Sequence, residues 1–209
     1  IPMIMGEDGK KLSKRHGSIS IEEYKKVGFL PEAVMNYIAL LGWASESGEE
    51  ILSLEQLANE FELSKLSRKP STFDPDKLVW INAQWMKRLS VPERTERLLP
   101  VLRDEGLVAG DLTSEERGWL ERVVDLIDDR LKTVRDVLDF DWFFLASGVT
   151  YDSMAVSKVL DKPGAGEILA GLRKVLSDAP DFTADALETA IRSYAEEKGV
   201  SAGKAIQPL

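Results

Sequence analysis

Residues 20–43 run SIEEYKKVGFLPEAVMNYIALLGW, and this stretch carries the signals of two consecutive helices. Ser20 and Glu23 have the spacing of a capping box, in which each side chain bonds the backbone amide of the other residue. Gly28 is a stop signal, because glycine readily adopts the left-handed conformation that ends helices. Pro31 suits the first position of a second helix. The apolar residues of that helix recur at helical spacing and predict one buried stripe: Val34, Tyr37, Ile38 and Leu41.

The same kinds of start signal recur along the rest of the chain. They predict helices that begin near Ser53, Asp74, Pro92, Thr113, Thr133 and Thr183. Further helical segments are predicted near 152–160 and 165–178. Residues 65–73 have the polar composition of a loop, and Pro100 should kink or divide its helix because proline lacks an amide donor. The sequence therefore predicts a mainly all-α fold.

Extended structure is expected only at the amino end. Residues 1–5 are apolar and are followed by the turn signal Gly6-Glu7-Asp8-Gly9. This order predicts a short strand that runs into a glycine-bounded loop.

The composition is that of an ordinary globular protein. The chain has 209 residues, of which 44% are hydrophobic and 30% charged, so it can bury a core. It has no cysteine, which excludes disulfides, thiolate metal sites and cysteine nucleophiles. Its apolar stretches are far shorter than the roughly 20 residues that span a bilayer. We therefore expect no membrane partner and a cytoplasmic location.

The net charge is −9, yet the first twenty residues hold four basic and two acidic side chains. The basic residues lie in the stretch 6–17, GEDGKKLSKRHG, where glycines permit tight turns and several cations could converge on one phosphate. A Walker-type phosphate loop is excluded, because Ile4 stands at its first glycine position and Lys11 at its hydroxyl position. A solvated basic loop without a ligand is the simpler alternative.

Residues 11–15, KLSKR, resemble the KMSKS signature of class I aminoacyl-tRNA synthetases, and the stretch 6–17 resembles the glutamyl-tRNA synthetase version of it. Two later stretches resemble segments of that family in the expected order: SISIEEYKKVGFLPEAVMNYIALLGW at 18–43 and FDPDKLVWIN at 73–82. Leu12 and Arg15 replace the Met and final Ser of the signature but keep the lysine spacing. The resemblance extends over most of the chain.

The resemblance implies a loop that closes on ATP, with magnesium expected for the complete enzyme and no bound metal in this chain. Lys14 would contact the phosphates of ATP while glutamate attacks the α-phosphorus, which gives glutamyl-adenylate and pyrophosphate. The predicted catalytic residues are thus Lys14 and Lys11, and Ser13 and Arg15 complete the predicted ATP-binding set. His16, the one histidine of the chain, is predicted to be a polar loop residue.

The resemblance also divides the chain into three parts. Residues 1–17 would end a catalytic domain, 18–88 would form a helical stem-contact domain, and 89–209 would form a helical anticodon-binding domain that is incomplete at its carboxyl end. A nucleotide-binding Rossmann domain is expected before residue 1. We therefore expect this chain to be a monomeric portion of a larger enzyme, inactive by itself.

The implied partner is tRNA(Glu), with ATP and glutamate bound through the preceding domain. Lys and Arg side chains on helical surfaces can contact RNA phosphates, and flat side chains can stack on unpaired bases. The candidate contacts lie in the polar loop and at a junction of two predicted helices: Lys65, Arg68, Lys69, Arg130, Lys132 and Arg135. Solvated surface cations are the alternative. The five tryptophans fall mostly on apolar helical faces and are predicted to be core residues.

Two other functions are compatible with these patterns. The first is a freestanding helical tRNA-binding module that keeps the loop without using it for catalysis. The second is part of a glutaminyl-tRNA synthetase, where the same type of loop occurs. That family resembles β-barrel proteins in its anticodon-binding portion, whereas the carboxyl half of this chain is predicted to be helical.

Overall fold

A computed structural model describes residues 2–13, 20–144 and 151–207 of the chain. The chain divides into two compact units, Ile1–Ser147 and Gly148–Leu209. Helices dominate the described parts of both units, which confirms the mainly all-α fold class.

The first unit combines a small parallel sheet with a set of packed helices. Strand β1 (Ile4–Met5) pairs in parallel with β2 (Ser71–Thr72). The α-helices are α1 (Ile21–Val27), α2 (Pro31–Leu40), α3 (Leu54–Glu60), α4 (Pro75–Arg88), α5 (Val91–Asp104) and α6 (Ser114–Ile127). The 3₁₀ helices span Leu63–Lys65, Asp128–Arg130 and Val134–Phe143.

One main core holds the first unit together. Its fully buried members include Ile81, Leu98, Leu102, Val124 and Val137, which come from α4, α5, α6 and the last 3₁₀ helix. Burial of each such side chain contributes about 1.5–3 kcal/mol. Helices on both sides of residue 89 share this core. The domain boundary predicted at 88/89 lies within the first unit, between the end of α4 and the start of α5, and it stays a prediction.

The second unit has a much smaller core. It contains α7 (Ser153–Ala155), which continues into a π-helix (Val156–Leu160), and then α8 (Ala165–Ser177), α9 (Ala184–Glu197) and α10 (Ala202–Ile206). Its buried cluster consists of Leu172, Tyr194, Ala195 and Ala205. A Cβ atom added at Gly171 would lie only 1.9 Å from the Tyr194 hydroxyl oxygen, so α8 and α9 pack closely only because position 171 is glycine.

The predicted helix starts are confirmed by cap geometry. Complete capping boxes open α1 at Ser20, α3 at Ser53 and α6 at Thr113. Asp74 caps α4 through a bond from the Lys77 amide. These starts were predictable because a cap depends on residues only three positions apart.

Three expectations are corrected by the structure. The polar stretch 65–73 contains β2, a strand without hydrophobic alternation that forms because β1 lies alongside it. Pro100 does not divide α5, since the buried Leu98, Leu99 and Leu102 around it hold the helix continuous in the core. The tryptophans are not all core residues, and this result is described below with the site.

Candidate functional site

Residues 4–12 form a tight hairpin at the amino end. The Gly6 N–H donates to the Lys10 carbonyl at 2.7 Å, which closes the turn. The Leu12 N–H donates to the Ile4 carbonyl at 2.9 Å, which pairs the two arms. The predicted strand and glycine-bounded loop are therefore confirmed over the described residues.

The pleat of this hairpin separates apolar from polar side chains. Ile4 and Leu12 pack against the main core. Lys11 and Ser13 flank Leu12, so the alternation of an extended chain turns them to the opposite face, where both are exposed. Lys11 also bridges to Met5 through the backbone. Within the described part of the chain no carboxylate pairs with the Lys11 ammonium, so this cation can meet an anion in solvent.

The remaining predicted loop residues lie outside the described ranges. Lys14 and Arg15, the other two predicted phosphate contacts, and His16 all belong to residues 14–19. Their roles stay predictions. The described residues of this segment end at Ser13, one position before Lys14.

A buried tyrosine, Tyr37, packs against the residues that directly follow β2, the strand paired with the hairpin. The Phe73 N–H, directly after β2, donates to the Met5 carbonyl at 2.8 Å, and the Phe73 ring packs edge-on against Tyr37 with centroids 5.5 Å apart. The Tyr37 hydroxyl accepts from the Asp74 N–H at 2.7 Å and donates to the Asp74 carbonyl at 2.9 Å. Burial raises the pKa of Tyr37 to about 12, so this hydroxyl stays protonated at neutral pH.

The three cations at 65–69 that are predicted to contact tRNA differ in how many carboxylates already bind them. The Lys65 Nζ lies 2.8 Å from Glu46 and 2.9 Å from Glu62, and hydrogen bonds to these two carboxylates raise the pKa of Lys65. Arg68 and Lys69 are exposed and form no ion pair with any residue that the structure describes. The latter two are therefore better placed than Lys65 to contact a phosphate.

The other predicted cations lie in residues 128–135, which we call the junction. Arg130 and Lys132 are exposed, and Arg130 donates to the Leu126 carbonyl at 3.4 Å. Arg135 is half-buried and forms an ion pair with Glu105 at 2.8 Å. The junction thus presents two exposed cations and one that is already neutralised.

One buried amide, Asn82 of α4, fixes the junction. Its Oδ1 accepts from the Leu30 N–H at 2.8 Å, and its Nδ2 donates to the Lys132 carbonyl at 2.5 Å. The Val134 N–H donates to the Gly28 carbonyl at 3.0 Å, so the turn between α1 and α2 lies directly against the junction. Asn82 carries no signal in the sequence alone, because its partners are about fifty residues away on either side.

The structure also brings together cations that the sequence analysis did not connect. Lys25 and Lys26, in the last turn of α1, line a groove of about 680 Å³ with Arg97 and Arg135. The groove also contains Glu22 and Asp104, and both arginines have carboxylate partners, so its available positive charge comes from the two lysines. A lysine pair at a helix end ordinarily interacts with the helix dipole, so its position in the sequence is not by itself a sign of a functional site.

The tryptophan prediction is confirmed in part. Trp43 is buried, and the Trp85 indole N–H donates to Asn36 Oδ1 at 3.1 Å. Trp80, Trp119 and Trp142 are 39–46% exposed, so the prediction that they are core residues is wrong. An indole is large enough to pack partly against other side chains while the rest of its ring reaches solvent. Exposed flat rings are also stacking surfaces for unpaired bases.

Residues 2–13, 20–144 and 151–207 contain no group of three or more His, Asp or Glu side chains arranged to hold a metal ion. In these ranges no helix has the length and apolar character needed to cross a membrane.

Two family models match the chain and together account for most of it. Residues 1–80 match the catalytic domain of the class I tRNA synthetases for E and Q, and residues 93–209 match an anticodon binding domain. The first match contains the hairpin and Asn82 lies just past its end. The second match contains the whole junction.

Individual glutamate–tRNA ligases are similar to this sequence over its full length. The glutamate–tRNA ligase of Moorella thermoacetica is 38% identical over 208 residues, and that of Bacillus subtilis is 34% identical over 209 residues. A crystal structure of a glutamate–tRNA ligase from Elizabethkingia meningosepticum, in complex with its amino acid, superimposes with a TM-score of 0.81 at 26% identity and covers 99% of this chain. The chain spans about 42% of the length of these ligases. Since an anticodon binding domain accounts for more than half of the chain, the chain belongs to the anticodon binding domain family, and it is similar to glutamate–tRNA ligases throughout its length.

Proposed function

We propose that this chain is the carboxyl-side part of a glutamate–tRNA ligase and supplies a loop that contacts ATP together with surfaces that bind tRNA(Glu). The observation that carries the proposal is the unbroken match to glutamate–tRNA ligases over the whole chain. The helical carboxyl half and the names of the relatives both favour a glutamate ligase over a glutaminyl-tRNA synthetase. The complete enzyme would activate glutamate with ATP and transfer it to tRNA(Glu), as a cytoplasmic monomer.

The hairpin supplies the physical basis for the ATP part of the proposal. Lys11 is exposed on an arm that Leu12 anchors to the core, and Lys14 follows three residues later in the sequence. In the proposed reaction a carboxylate oxygen of glutamate bonds to the α-phosphorus, and the bond to the departing pyrophosphate breaks. An ammonium group held where that charge develops contributes about 3–4 kcal/mol. Lys14 would supply it, with Lys11, Ser13 and Arg15 binding the same nucleotide.

Magnesium is expected to accompany the nucleotide. The described residues offer no cluster of protein ligands for it, so its ligands would be phosphate oxygens and groups outside these residues. No step of the proposal depends on a metal held by this chain.

The tRNA part of the proposal rests on two surfaces of the first unit. Arg130 and Lys132 of the junction, and Arg68 and Lys69 of the polar loop, are exposed cations of the kind that contact RNA phosphates. Lys25 and Lys26 extend the candidate surface along the neighbouring groove. Because the protein as a whole is acidic, RNA would bind along these local cationic surfaces and not over the whole molecule.

We also propose the family's domain division for this chain: 1–17 as the end of the catalytic domain, 18–88 as a stem-contact domain and 89–209 as an anticodon-binding domain. The interval between the two family matches, 81–92, contains the proposed boundary. The end of α4 and the start of α5 fall in the same interval.

Glutamate-dependent exchange between ATP and pyrophosphate, with tRNA(Glu) present, tests the proposal. We expect the full-length ligase to be active and this chain alone to be inactive. In the full-length ligase Lys14→Ala should lower kcat by about 10²–10³-fold with little change in tRNA affinity. The matched control is Lys10→Ala, because Lys10 lies in the same hairpin but is 3.7 Å from the Asp8 carboxylate. Exchange activity from the chain alone, or equal losses in both variants, would contradict the proposal.

A further inference from the structure

Arg94 of α5 carries a guanidinium group that the fold buries almost completely. Its side chain is 7% exposed, whereas that of its ion-pair partner Asp128, 2.9 Å away, is 61% exposed. The guanidinium also donates to the Leu89 carbonyl at 3.3 Å, and its Nε has no hydrogen-bond partner among the described residues. A buried charge that is only partly bonded contributes little stability, because its removal from water is costly. The arrangement therefore indicates a role for Arg94 other than stability.

Asp128, which ends α6 and begins the junction, has a backbone conformation that suits glycine. In the described parts of the chain it is the one non-glycine residue with positive φ. Its φ of +37° and ψ of −108° are close to those of the first central residue of a type II′ turn, a position that glycine favours. Strain of this kind persists only where surrounding contacts hold the residue in place. The ion pair with Arg94 is such a contact.

The strained turn determines where the Arg130 side chain leaves the surface. Leu131 is buried in the main core, and its N–H donates to the Asp128 carbonyl at 3.2 Å. The backbone of Arg130 is therefore fixed on one side by the core and on the other by Asp128. Lys132 has a separate support, because its carbonyl accepts from Asn82. Release of Asp128 should thus free Arg130 more than Lys132.

We propose that Arg94 is a positioning residue for tRNA binding: through Asp128 it holds the turn in the conformation that presents Arg130 to an RNA phosphate. The inference rests on the proposed function, which places Arg130 on the tRNA surface. Because Arg94 is buried, it acts through Asp128 and does not itself contact the RNA.

Two substitutions of Asp128 separate the geometry of the turn from its charge. Asp128→Asn and Asp128→Gly remove the same negative charge, and both new residues tolerate positive φ. Only asparagine keeps a side-chain oxygen that accepts from Arg94. We expect Asp128→Gly to bind tRNA(Glu) about fivefold more weakly than Asp128→Asn near 0.1 M salt, the loss of one phosphate contact. The urea midpoint of Asp128→Gly should be no lower than that of the wild type, since glycine relieves the strain. A merely structural role predicts that affinity and stability fall together.

A double-mutant cycle tests whether the effect passes through Arg130. In the Asp128→Asn background Arg130→Ala should weaken binding by about fivefold, and in the Asp128→Gly background by less than about twofold, because the displaced side chain has little left to lose. Arg68→Ala, in the polar loop, is the matched control and should weaken binding equally in both backgrounds. Equal affinities of the two Asp128 variants, or full additivity with Arg130→Ala, would overturn the proposal.

Arg94 itself is tested by Arg94→Met, which keeps an unbranched side chain of similar length without the charge. It should weaken tRNA binding as Asp128→Gly does. Arg103→Met is the control, because Arg103 lies on the same helix and also pairs with a carboxylate, Asp111, at 3.7 Å. A loss of affinity in Arg103→Met equal to that in Arg94→Met would contradict the proposal.

Amide exchange at Leu131, measured in the same variants, separates this inference from the proposed function. Salt-dependent binding of tRNA(Glu) by the wild type together with equal binding by the two Asp128 variants would refute the positioning role and leave the function standing. Faster exchange at Leu131 in Asp128→Gly than in Asp128→Asn, in a protein that does not bind tRNA(Glu), would refute the function and leave Arg94 as the residue that holds the turn.

Discussion

The hairpin at 4–12 and the junction at 128–135 both present cations from short irregular segments, but they are fixed in different ways. The hairpin is held by its own backbone hydrogen bonds and by two apolar side chains that alternate with its polar ones. The junction depends on a side chain of α4, Asn82, and on the turn at Gly28. Neighbouring residues therefore close the turn of the first segment, although β1 also pairs with the distant β2, whereas α4 and the Gly28 turn hold the second.

The largest expected effect is on the junction and comes from Asn82→Ala. The substitution leaves the buried Leu30 N–H and the Lys132 carbonyl without their partner, which should lower the free energy of unfolding by about 2–4 kcal/mol. Amide exchange at Val134 should accelerate, while exchange at Leu12 in the hairpin stays unchanged relative to global unfolding. Urea denaturation and hydrogen-exchange mass spectrometry measure the two quantities.

Gln84→Ala is the control for this comparison. Gln84 lies on the same helix and forms no hydrogen bond with the residues that the structure describes, so its loss should cost well under 1 kcal/mol. If Asn82→Ala and Gln84→Ala had equal effects, the junction would not depend on the buried amide.

These two segments also show what the sequence could predict. The strand with its glycine-bounded loop, the capping boxes and the stop at Gly28 depend on residues within a few positions of each other, and the sequence predicts them. Asn82 and the strand β2 depend on partners tens of residues away, and no local pattern identifies them. The exposed Trp80 was mistaken for a core residue, because spacing indicates a face of a helix and not how far that face extends into the core.

The next effect in size concerns the turn that supports the junction. Gly28 has a φ of +97°, and an added Cβ would lie 2.9 Å from the Arg135 backbone nitrogen. Gly28→Ala should therefore cost about 2–3 kcal/mol of unfolding free energy, from backbone strain and from displacement of the junction. Gly48→Ala is matched in backbone conformation, with φ of +75°, but its Cβ would meet nothing within 4 Å, so we expect only about 1 kcal/mol. Equal costs in denaturation experiments would show that the turn does not support the junction.

Near the hairpin, Tyr37 should make the stability of the fold depend on pH. The pKa of Tyr37 is raised to about 12 in the folded state. The stability that the protonated hydroxyl contributes is therefore fully present below pH 10 and is lost as the pH rises from 10 towards 12. We expect the free energy of unfolding to fall by about 1 kcal/mol between pH 9 and pH 11 on account of this hydroxyl. Tyr37→Phe should remove that part of the slope. An identical slope in the variant, measured by denaturation across this range, would contradict the assignment.

The smallest expected effect is a difference in tRNA binding between substitutions of two neighbouring cations of the polar loop. Lys65 already bonds two carboxylates, whereas Arg68 has no ion-pair partner among the described residues. Arg68→Ala should therefore weaken tRNA(Glu) binding by a few-fold and reduce its salt dependence, and Lys65→Ala should change neither measurably. Titrations at two salt concentrations check this difference. A larger loss from Lys65→Ala would mean that RNA displaces its carboxylate partners.

The most direct test of the account is the binding of this 209-residue chain to fluorescently labelled tRNA(Glu). Because cations on the first unit are proposed to meet phosphates, we predict saturable binding that weakens steeply between about 50 and 200 mM salt. Arg130→Ala combined with Lys132→Ala should reduce the affinity, and unlabelled tRNA(Glu) should compete better than duplex DNA of similar length. Absence of saturable binding, or equal competition by the DNA, would contradict the assignment of this chain as the tRNA-binding part of the ligase.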